Sequence, residues 1–159
     1  MELFLLRHGI AEDAGPGVPD AERALTRDGK DKLRRVLKRA AQAGVKPTLI
    51  LSSPLQRARE TAEIAAEVLD YAGEIVRTPA LSPQASPADA WMEARSHANE
   101  ESILLASHEP LMSALLAFLL NSPGLRTDFK KGALARVMVE SAGPTPRCEF
   151  KWLITAALA

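Results

Sequence analysis

The stretch that decides the fold is LFLLRHG, residues 3–9, in which an apolar run stops at Arg7, His8 and Gly9. A short, continuous apolar run is typical of a strand buried on both faces of a parallel sheet. Buried strands usually end in turn residues such as Asn, Asp or Ser. A guanidinium, an imidazole and a glycine are instead suited to holding an anion. The stretch therefore predicts a buried strand whose carboxyl end carries an anion site.

Strand-like and helix-like stretches alternate along the rest of the chain. The predicted strands are 3–6, 48–51, 74–77, 102–106, 134–140 and 147–154, and the predicted helices are 26–43, 53–69, 87–96 and 110–120. Thr26 is the predicted N-cap of the first helix, and Ser53 followed by Pro54 predicts the start of the second. Alternation of this kind predicts a three-layer α/β/α sandwich with a mostly parallel central sheet. The last two strands, separated by a Gly/Pro turn, predict a hairpin that adds an antiparallel strand.

The composition limits the possible classes of protein. A chain of 159 residues with 47% hydrophobic residues fits one domain, residues 1–159. Lys plus Arg and Asp plus Glu number 20 each, and a neutral chain is a poor candidate for non-specific nucleic-acid binding. The single cysteine, Cys148, excludes an intrachain disulfide and a cysteine-rich metal site. We see no membrane span and no signal peptide, and we expect a cytoplasmic protein.

Cationic and titratable side chains follow three of the predicted strands. Arg7 and His8 follow the first strand, Arg57 lies in the first turn of the helix after the second, and His108 follows strand 102–106. In open α/β sheets, ligands bind outside the carboxyl ends of the strands. Taken singly, each histidine could be structural and each arginine a solvated surface charge. Their convergence on one sheet edge favours a site for an anion, which would also offset the unfavourable position of Arg57 at a helix N-terminus.

Four motifs carry a resemblance to a known family. LLRHGIA, ALTRDG, SSPLQRARETAE and SHEP occur in this order between residue 1 and about residue 120. They resemble the RHG, L-T-x-x-G, S-x-x-x-R-[AT]-x-x-T-A and [GS]-H-x-P motifs of the histidine phosphatase superfamily, which has the phosphoglycerate mutase-like fold. Their order and spacing in a short chain are most similar to the SixA-type phosphohistidine phosphatases. RHG alone is a common tripeptide, whereas four motifs in the family's order are specific.

The resemblance implies a phosphatase that carries a covalent phosphohistidine intermediate on His8. The family's phosphoryl-binding roles would fall on Arg7, Arg57 and His108, with Gly9 and Ser107 also at the substrate. The chemistry of these residue types agrees, since neighbouring cations keep an imidazole nucleophile unprotonated and arginine forks match phosphate oxygens. Phosphoryl transfer needs little beyond positioning and charge stabilisation. We expect no cofactor and no metal, because the sequence shows no carboxylate cluster or multi-histidine site that could supply ligands.

The general acid is where the sequence departs from the family. Many members place a glutamate after the third strand region, where this chain reads ALSPQ with Ser82 and Pro83. Glu12, Asp13 and Asp20 are possible substitutes; Asp20 is favoured, with solvated loop charges as the alternative reading. A phosphoester needs its alkoxide leaving group protonated, whereas the imidazole of phosphohistidine depends less on a strong acid. The missing glutamate therefore favours phosphohistidine as substrate.

The size of the chain bears on the partner. Larger family members insert a helical cap over the site, and this chain has little room for one. Loops 14–22 and 79–87 are the only predicted walls, so a phosphohistidine on a folded partner, such as a histidine-containing phosphotransfer domain, could enter. Two alternatives stay open: a broad small-molecule phosphomonoesterase, and a non-catalytic phosphate- or phosphoprotein-binding module. We expect a monomer that binds neither nucleic acid nor membrane.

Overall fold

A six-stranded sheet with helices on both faces forms the protein, described for residues 1–159 by a computed structural model. The strands are β1 (Glu2–Arg7), β2 (Leu49–Ser52), β3 (Ile75–Arg77), β4 (Ser102–Ser107), β5 (Leu134–Ser141) and β6 (Arg147–Ile154). The helices are α1 (Arg27–Gln42), α2 (Gln56–Val68), α3 (Pro87–Arg95) and α4 (Leu111–Leu119), with short 3₁₀ turns at Asp20–Glu22 and Pro79–Leu81. None of these helices combines the length and the apolarity needed to cross a bilayer.

The strand order confirms the predicted architecture. It is β3-β2-β4-β1-β5-β6, with β1 to β4 mutually parallel and β5 and β6 forming the antiparallel hairpin at one edge. In the register of β1 and β4, Arg7 lies opposite Ser107, and Ser52 of β2 lies opposite Ala106. The carboxyl ends of these three strands therefore meet at the same edge of the sheet.

The apolar run of β1 supplies both faces of the sheet, as its continuous hydrophobicity predicts. Leu3 and Leu5 pack into the layer that holds α3 and α4, which includes the fully buried Trp91. Phe4 and Leu6 point the other way, into the layer that holds α1 and α2. Alternate side chains of a strand face opposite sides of a sheet, so a strand covered on both sides must be apolar throughout.

The first turn of α1 is locked against the loop that follows His8. The Thr26 hydroxyl caps the helix by accepting a hydrogen bond from Gly29 N at 2.9 Å, as predicted, and Thr26 N donates to Ile10 O at 2.9 Å. A Cβ on Gly29 would lie 2.3 Å from Ile10 O, closer than atoms can approach. Gly29 is therefore required by the close passage of the two backbones.

Replacing Gly29 by alanine should force α1 away from the His8 loop. We expect the free energy of unfolding to fall by about 2 kcal/mol or more, because a packed backbone must move to admit the methyl group. Urea unfolding followed by circular dichroism measures this. Gly124→Ala is the matched control, since a Cβ there meets no atom within 4 Å. Equal stability of the two variants would contradict the tight fit at Gly29.

The start of α2 differs from the prediction, and the difference bears on the site. Ser53 and Pro54 are not the cap and first residue of the helix; α2 begins at Gln56, and its N-cap Leu55 makes no side-chain capping bond. The Ser53 hydroxyl accepts a 3.3 Å hydrogen bond from Leu55 N and lies 2.7 Å from Nε2 of His108. The contact between Ser53 and His108 could not be predicted from the sequence around Ser53.

Candidate active site

The strand ends bring two histidines and two arginines together. Arg7 ends β1 and His8 follows it, His108 follows β4, and Arg57 lies in the first turn of α2. The imidazole rings of His8 and His108 are 5.2 Å apart between centroids and inclined at 61°. His8, His108 and Arg57 are only 6%, 2% and 6% exposed. Titratable groups so deeply buried and so close together are typical of a functional site.

The hydrogen bond made by His8 determines which of its nitrogens is free. His8 Nδ1 lies 2.7 Å from the backbone oxygen of Gly9. A carbonyl oxygen can only accept, so Nδ1 carries the proton and Nε2 keeps its lone pair in the neutral ring. Gly9 N in turn donates to the Thr61 hydroxyl at 3.2 Å, and Thr61 donates to Arg57 O at 2.7 Å. Thr61 thus connects the His8 loop to α2.

His8 is neutral at physiological pH. Burial is the main cause that lowers its pKa to about 4, and the positive charges of Arg57, Arg7 and Arg23 lower it further. The hydrogen bond to Gly9 acts in the opposite direction. The ring therefore offers an unprotonated Nε2 throughout the range in which an exposed histidine would be partly protonated.

This shift makes folding stability depend on pH. Below about 6.5 the imidazole of the unfolded chain binds a proton, while that of the folded chain stays neutral until the pH approaches its pKa of about 4. The unfolded state binds more protons in this window, so stability falls as the pH falls. We expect His8 to contribute a loss of about 3 kcal/mol between pH 7 and pH 4. Between pH 7 and pH 4, the denaturant midpoint of His8→Gln should fall less than that of the wild type. The same dependence of midpoint on pH in both proteins would contradict the burial of a neutral ring.

His108 is held as a neutral imidazole. Burial first, and then the charges on His8 and Arg57, lower its pKa to about 3. Its Nε2 is 2.7 Å from the Ser53 hydroxyl, a group that can both donate and accept a hydrogen bond. Its Nδ1 is buried and has no hydrogen-bond partner.

Both arginines are anchored through their terminal nitrogens. Arg57 donates from Nη1 to Asp20 O at 2.9 Å and from Nη2 to the Asp20 carboxylate at 3.3 Å. Arg7 donates from Nη1 to Phe129 O at 2.8 Å. In each case Nε is buried and unpaired, as is Nδ1 of His108. Unpaired buried polar atoms are costly, and a bound oxyanion would accept hydrogen bonds from both Nε–H groups.

Asp20, the predicted general acid, forms ion pairs with two arginines. Its carboxylate lies 3.0 Å from Arg23 and 3.3 Å from Arg57. The hydrogen bond from Arg23 is the main cause that lowers the pKa of Asp20, and Arg57 adds to it. A carboxyl group with a lowered pKa is a poor proton donor at neutral pH. Asp20 also supplies the negative charge that offsets the unfavourable position of Arg57 at a helix N-terminus. From the sequence, we expected a bound anion to supply that charge.

Three residues at the site were not singled out by the sequence: Ser53 as the partner of His108, Thr61, and Arg23. Arg23 also donates from Nε to Glu12 O at 2.6 Å, which fixes the loop after His8. The side chains of Glu12 and Asp13, the other possible acids, are exposed. Two features of the sequence could have pointed to these residues. Asp20 and Arg23 have the i,i+3 spacing of an ion pair, and Thr61 lies one helical turn after Arg57.

Ser107 and Gly9 lie beside His8, and their contact with substrate stays a prediction. Ser107 is fully buried, and its hydroxyl donates to Leu81 O at 2.6 Å. Its backbone oxygen accepts from His8 N at 2.9 Å, so it positions the loop that carries His8. A Cβ on Gly9 would lie 3.3 Å from Gly29 O, which leaves little room for a side chain there.

Comparisons with known proteins agree with this geometry. The family model described as Histidine phosphatase superfamily (branch 1) matches residues 3–83. Phosphohistidine phosphatase SixA of Escherichia coli K12 is 30% identical over 146 residues, covering 90% of this chain and 88% of that protein. An uncharacterised protein of Picosynechococcus sp. is 38% identical over 116 residues, 69% of this chain and 67% of its own. A solved structure of the protein histidine phosphatase SixA with tungstate superposes with a TM-score of 0.86 at 28% identity, covering 99% and 98% of the two chains.

The match to the family model covers half of the chain, and the similarity to SixA extends over nearly all of it. The fold, the four motifs and the converging side chains all agree with it. The chain belongs to the histidine phosphatase superfamily and is similar to the SixA phosphohistidine phosphatases.

Proposed function

We propose that this protein hydrolyses the phosphoryl group of phosphohistidine on a partner protein, through a covalent phosphohistidine intermediate on His8. One observation carries the proposal: a neutral imidazole with a free Nε2 lone pair lies close enough to Arg7 and Arg57 for their charges to lower its pKa, and the buried Nε–H group of each arginine has no partner. Unpaired donors create a site for the phosphoryl oxygens, and the lone pair supplies the nucleophile.

In the first step, Nε2 of His8 attacks phosphorus as the bond from phosphorus to the substrate imidazole breaks. The released imidazole takes a proton from water or from a group at the pocket mouth. The Nε–H groups of Arg7 and Arg57 and the imidazole of His108 stabilise the charge on the equatorial oxygens. The hydrogen bond from His8 Nδ1 to Gly9 O stabilises the positive charge that develops on the attacking ring.

In the second step, water attacks the phosphorus of the intermediate and displaces Nε2. The products are inorganic phosphate and a neutral His8, ready for another turnover. Burial and the nearby arginines, which keep the His8 ring unprotonated, also favour its departure as a neutral imidazole, so the same pocket serves both steps. No step requires a metal or a cofactor.

The proposed substrate class follows from the lack of a general acid where the family and the sequence would place one. Asp20 is held ionised by Arg23 and Arg57, and the segment around Ser82 has no carboxylate, so neither position supplies a general acid for an alkoxide leaving group. Phosphohistidine tolerates this, since its leaving group is an imidazole nitrogen. The name of the Escherichia coli relative supports the same substrate, and the tungstate in the solved SixA structure is an oxyanion of the same shape as phosphate.

The proposal includes the remaining expectations from the sequence. Residues 1–159 act as one monomeric catalytic domain without a large cap, in the cytoplasm. Between β1 and α1 the only regular element is the 3₁₀ turn Asp20–Glu22, and between β3 and α3 it is Pro79–Leu81. Neither segment inserts a helical cap, which supports a site that a histidine carried on a folded partner can reach.

A direct comparison of substrates tests the proposal. A phosphorylated histidine-containing phosphotransfer domain and a panel of sugar and nucleotide phosphates are assayed side by side for phosphate release. We expect kcat/KM for the phosphorylated domain to exceed that for each small phosphate by at least about 100-fold, since the weak acid penalises phosphoesters. If a phosphoester is preferred, the substrate assignment is wrong.

A further inference from the structure

The neutral net charge of the chain hides a strong local asymmetry. Helix α1 carries seven of the 20 Lys and Arg residues and only two carboxylates. Lys and Arg on a helix that borders an anion site extend the positive potential beyond the pocket. The mechanism at His8 makes no use of this charge.

A groove leads from the site along this helix. It has a volume of about 830 Å³, and its walls come from α1, from residues 128–131 and from residues 155–157. Five cations line it, against the single carboxylate of Asp128: Arg7, Lys32, Arg35, Lys130 and Lys131. We call this surface the basic groove. Because Arg7 belongs to both, the basic groove and the phosphoryl site are adjacent.

The walls of the basic groove are fixed relative to His8. The first turn of α1 is locked to Ile10 through Thr26 and Gly29. Arg35 donates from Nη2 to Ala156 O at 3.0 Å, which joins α1 to the C-terminal segment. A ligand bound along the groove would therefore stand in a defined position relative to the nucleophile.

The charges in the basic groove are available to a ligand. Arg35 and Lys131 are exposed and form no ion pair with a carboxylate. Lys130 pairs with Asp128 at 3.1 Å, but both side chains are more than half exposed. Exposed pairs contribute little and exchange readily for a stronger partner. The groove has more positive charge than its own carboxylates neutralise.

We propose that the basic groove binds acidic side chains that flank the phosphohistidine of a partner protein. This inference rests on the proposed function and extends it to partner choice. The cations are spread over three chain segments, with the carboxylate of Asp128 among them, an arrangement that fits spaced Asp and Glu side chains rather than the dense charge of a nucleic acid. A partner that places carboxylates in the groove presents its phosphoryl group to His8.

Charge reversal on matched faces of the protein tests this. The substrates are two phosphohistidine peptides, identical except that four flanking residues are Glu in one and Gln in the other. The test variant is Arg35→Glu with Lys131→Glu, and the control is Lys30→Glu with Lys38→Glu, which changes the net charge equally at exposed α1 positions outside the groove. Hydrolysis of p-nitrophenyl phosphate checks that the catalytic site is intact in both.

In the wild type at low salt, we expect kcat/KM to be about 10-fold higher for the Glu peptide than for the Gln peptide, mainly through KM. The test variant should lose this preference, and the control should keep it. Equal rates on the two peptides in the wild type, or equal losses in the two variants, would overturn the groove proposal alone. Hydrolysis of neither peptide would overturn the proposed function as well. A single-stranded oligonucleotide that inhibits as strongly as an unphosphorylated Glu peptide would contradict the acidic-protein partner.

Discussion

His8→Gln should reduce kcat on a phosphohistidine substrate by about 10⁴-fold or more, the size of effect seen when an enzyme loses its covalent nucleophile. Glutamine keeps a polar side chain of similar reach but has no ring nitrogen with a lone pair for phosphorus. The four unaltered groups around it, Arg7, Arg57, His108 and Gly9, should still bind an oxyanion. Steady-state phosphate release measures the loss, and calorimetric titration with tungstate measures the retained binding.

The control for this variant is His97→Gln, because His97 lies after α3 and contacts Glu93 instead of the site. It should retain wild-type kcat and KM. If His8→Gln retains more than about a hundredth of wild-type kcat, a covalent intermediate on His8 is not the main route. If His8→Gln loses tungstate binding altogether, the substitution has disturbed the pocket as well as removed the imidazole. The activity of His97→Gln shows how much a histidine-to-glutamine change outside the site alters kcat.

Arg57→Ala should lower kcat/KM by about 10²–10³-fold, the range found when a preorganised charge-stabilising donor is removed. Arg57 is 6% exposed, and its buried Nε–H has no partner, so it is free to donate to the proposed phosphoryl group. Arg57→Lys should recover only part of the loss, because an ammonium cannot bind Asp20 and a phosphoryl oxygen with the geometry of a guanidinium fork. Arg39→Ala, at an exposed position of α1, is the matched control. Similar losses in Arg39→Ala and Arg57→Ala would contradict the role of Arg57.

Asp20→Asn separates two roles for Asp20. If Asp20 positions Arg57, the variant loses activity modestly, and the pH profile for hydrolysis keeps its shape. If Asp20 donates a proton to the leaving group, the basic limb of the profile disappears. The ion pairs to Arg23 and Arg57 favour the first outcome, since they lower the pKa of the carboxyl.

Much of the site could be predicted because its residues lie at strand ends. An apolar run that ends in Arg7 and His8 locates the first strand end, and parallel pairing with β4 brings His108 to the same edge. This convergence depends only on topology, which alternating periodicity indicates well. The placement of Arg57 in the first turn of a helix is likewise a local property of the sequence.

The contacts that tune the site could not be predicted, because they join segments far apart in sequence. Ser53 reads as a helix cap locally, yet its hydroxyl lies beside His108, 55 residues away. Asp20 reads as a free carboxylate, yet two arginines hold it. Side chains of this kind have several partners of similar energy, and tertiary packing decides among them. The protonation states of His8 and His108 follow from these contacts and from burial, which no local pattern reports.

The most direct test of the account is to trap the intermediate. The protein is exposed for a few seconds to a phosphohistidine substrate labelled with ³²P, quenched in alkali, digested and mapped by mass spectrometry. We predict one acid-labile, base-stable phosphoryl group on the peptide that contains His8, attached at Nε2 because Nδ1 is hydrogen-bonded to Gly9 O. Turnover without any label on His8, or a label that is found on another residue and is chemically competent for release, would contradict the account.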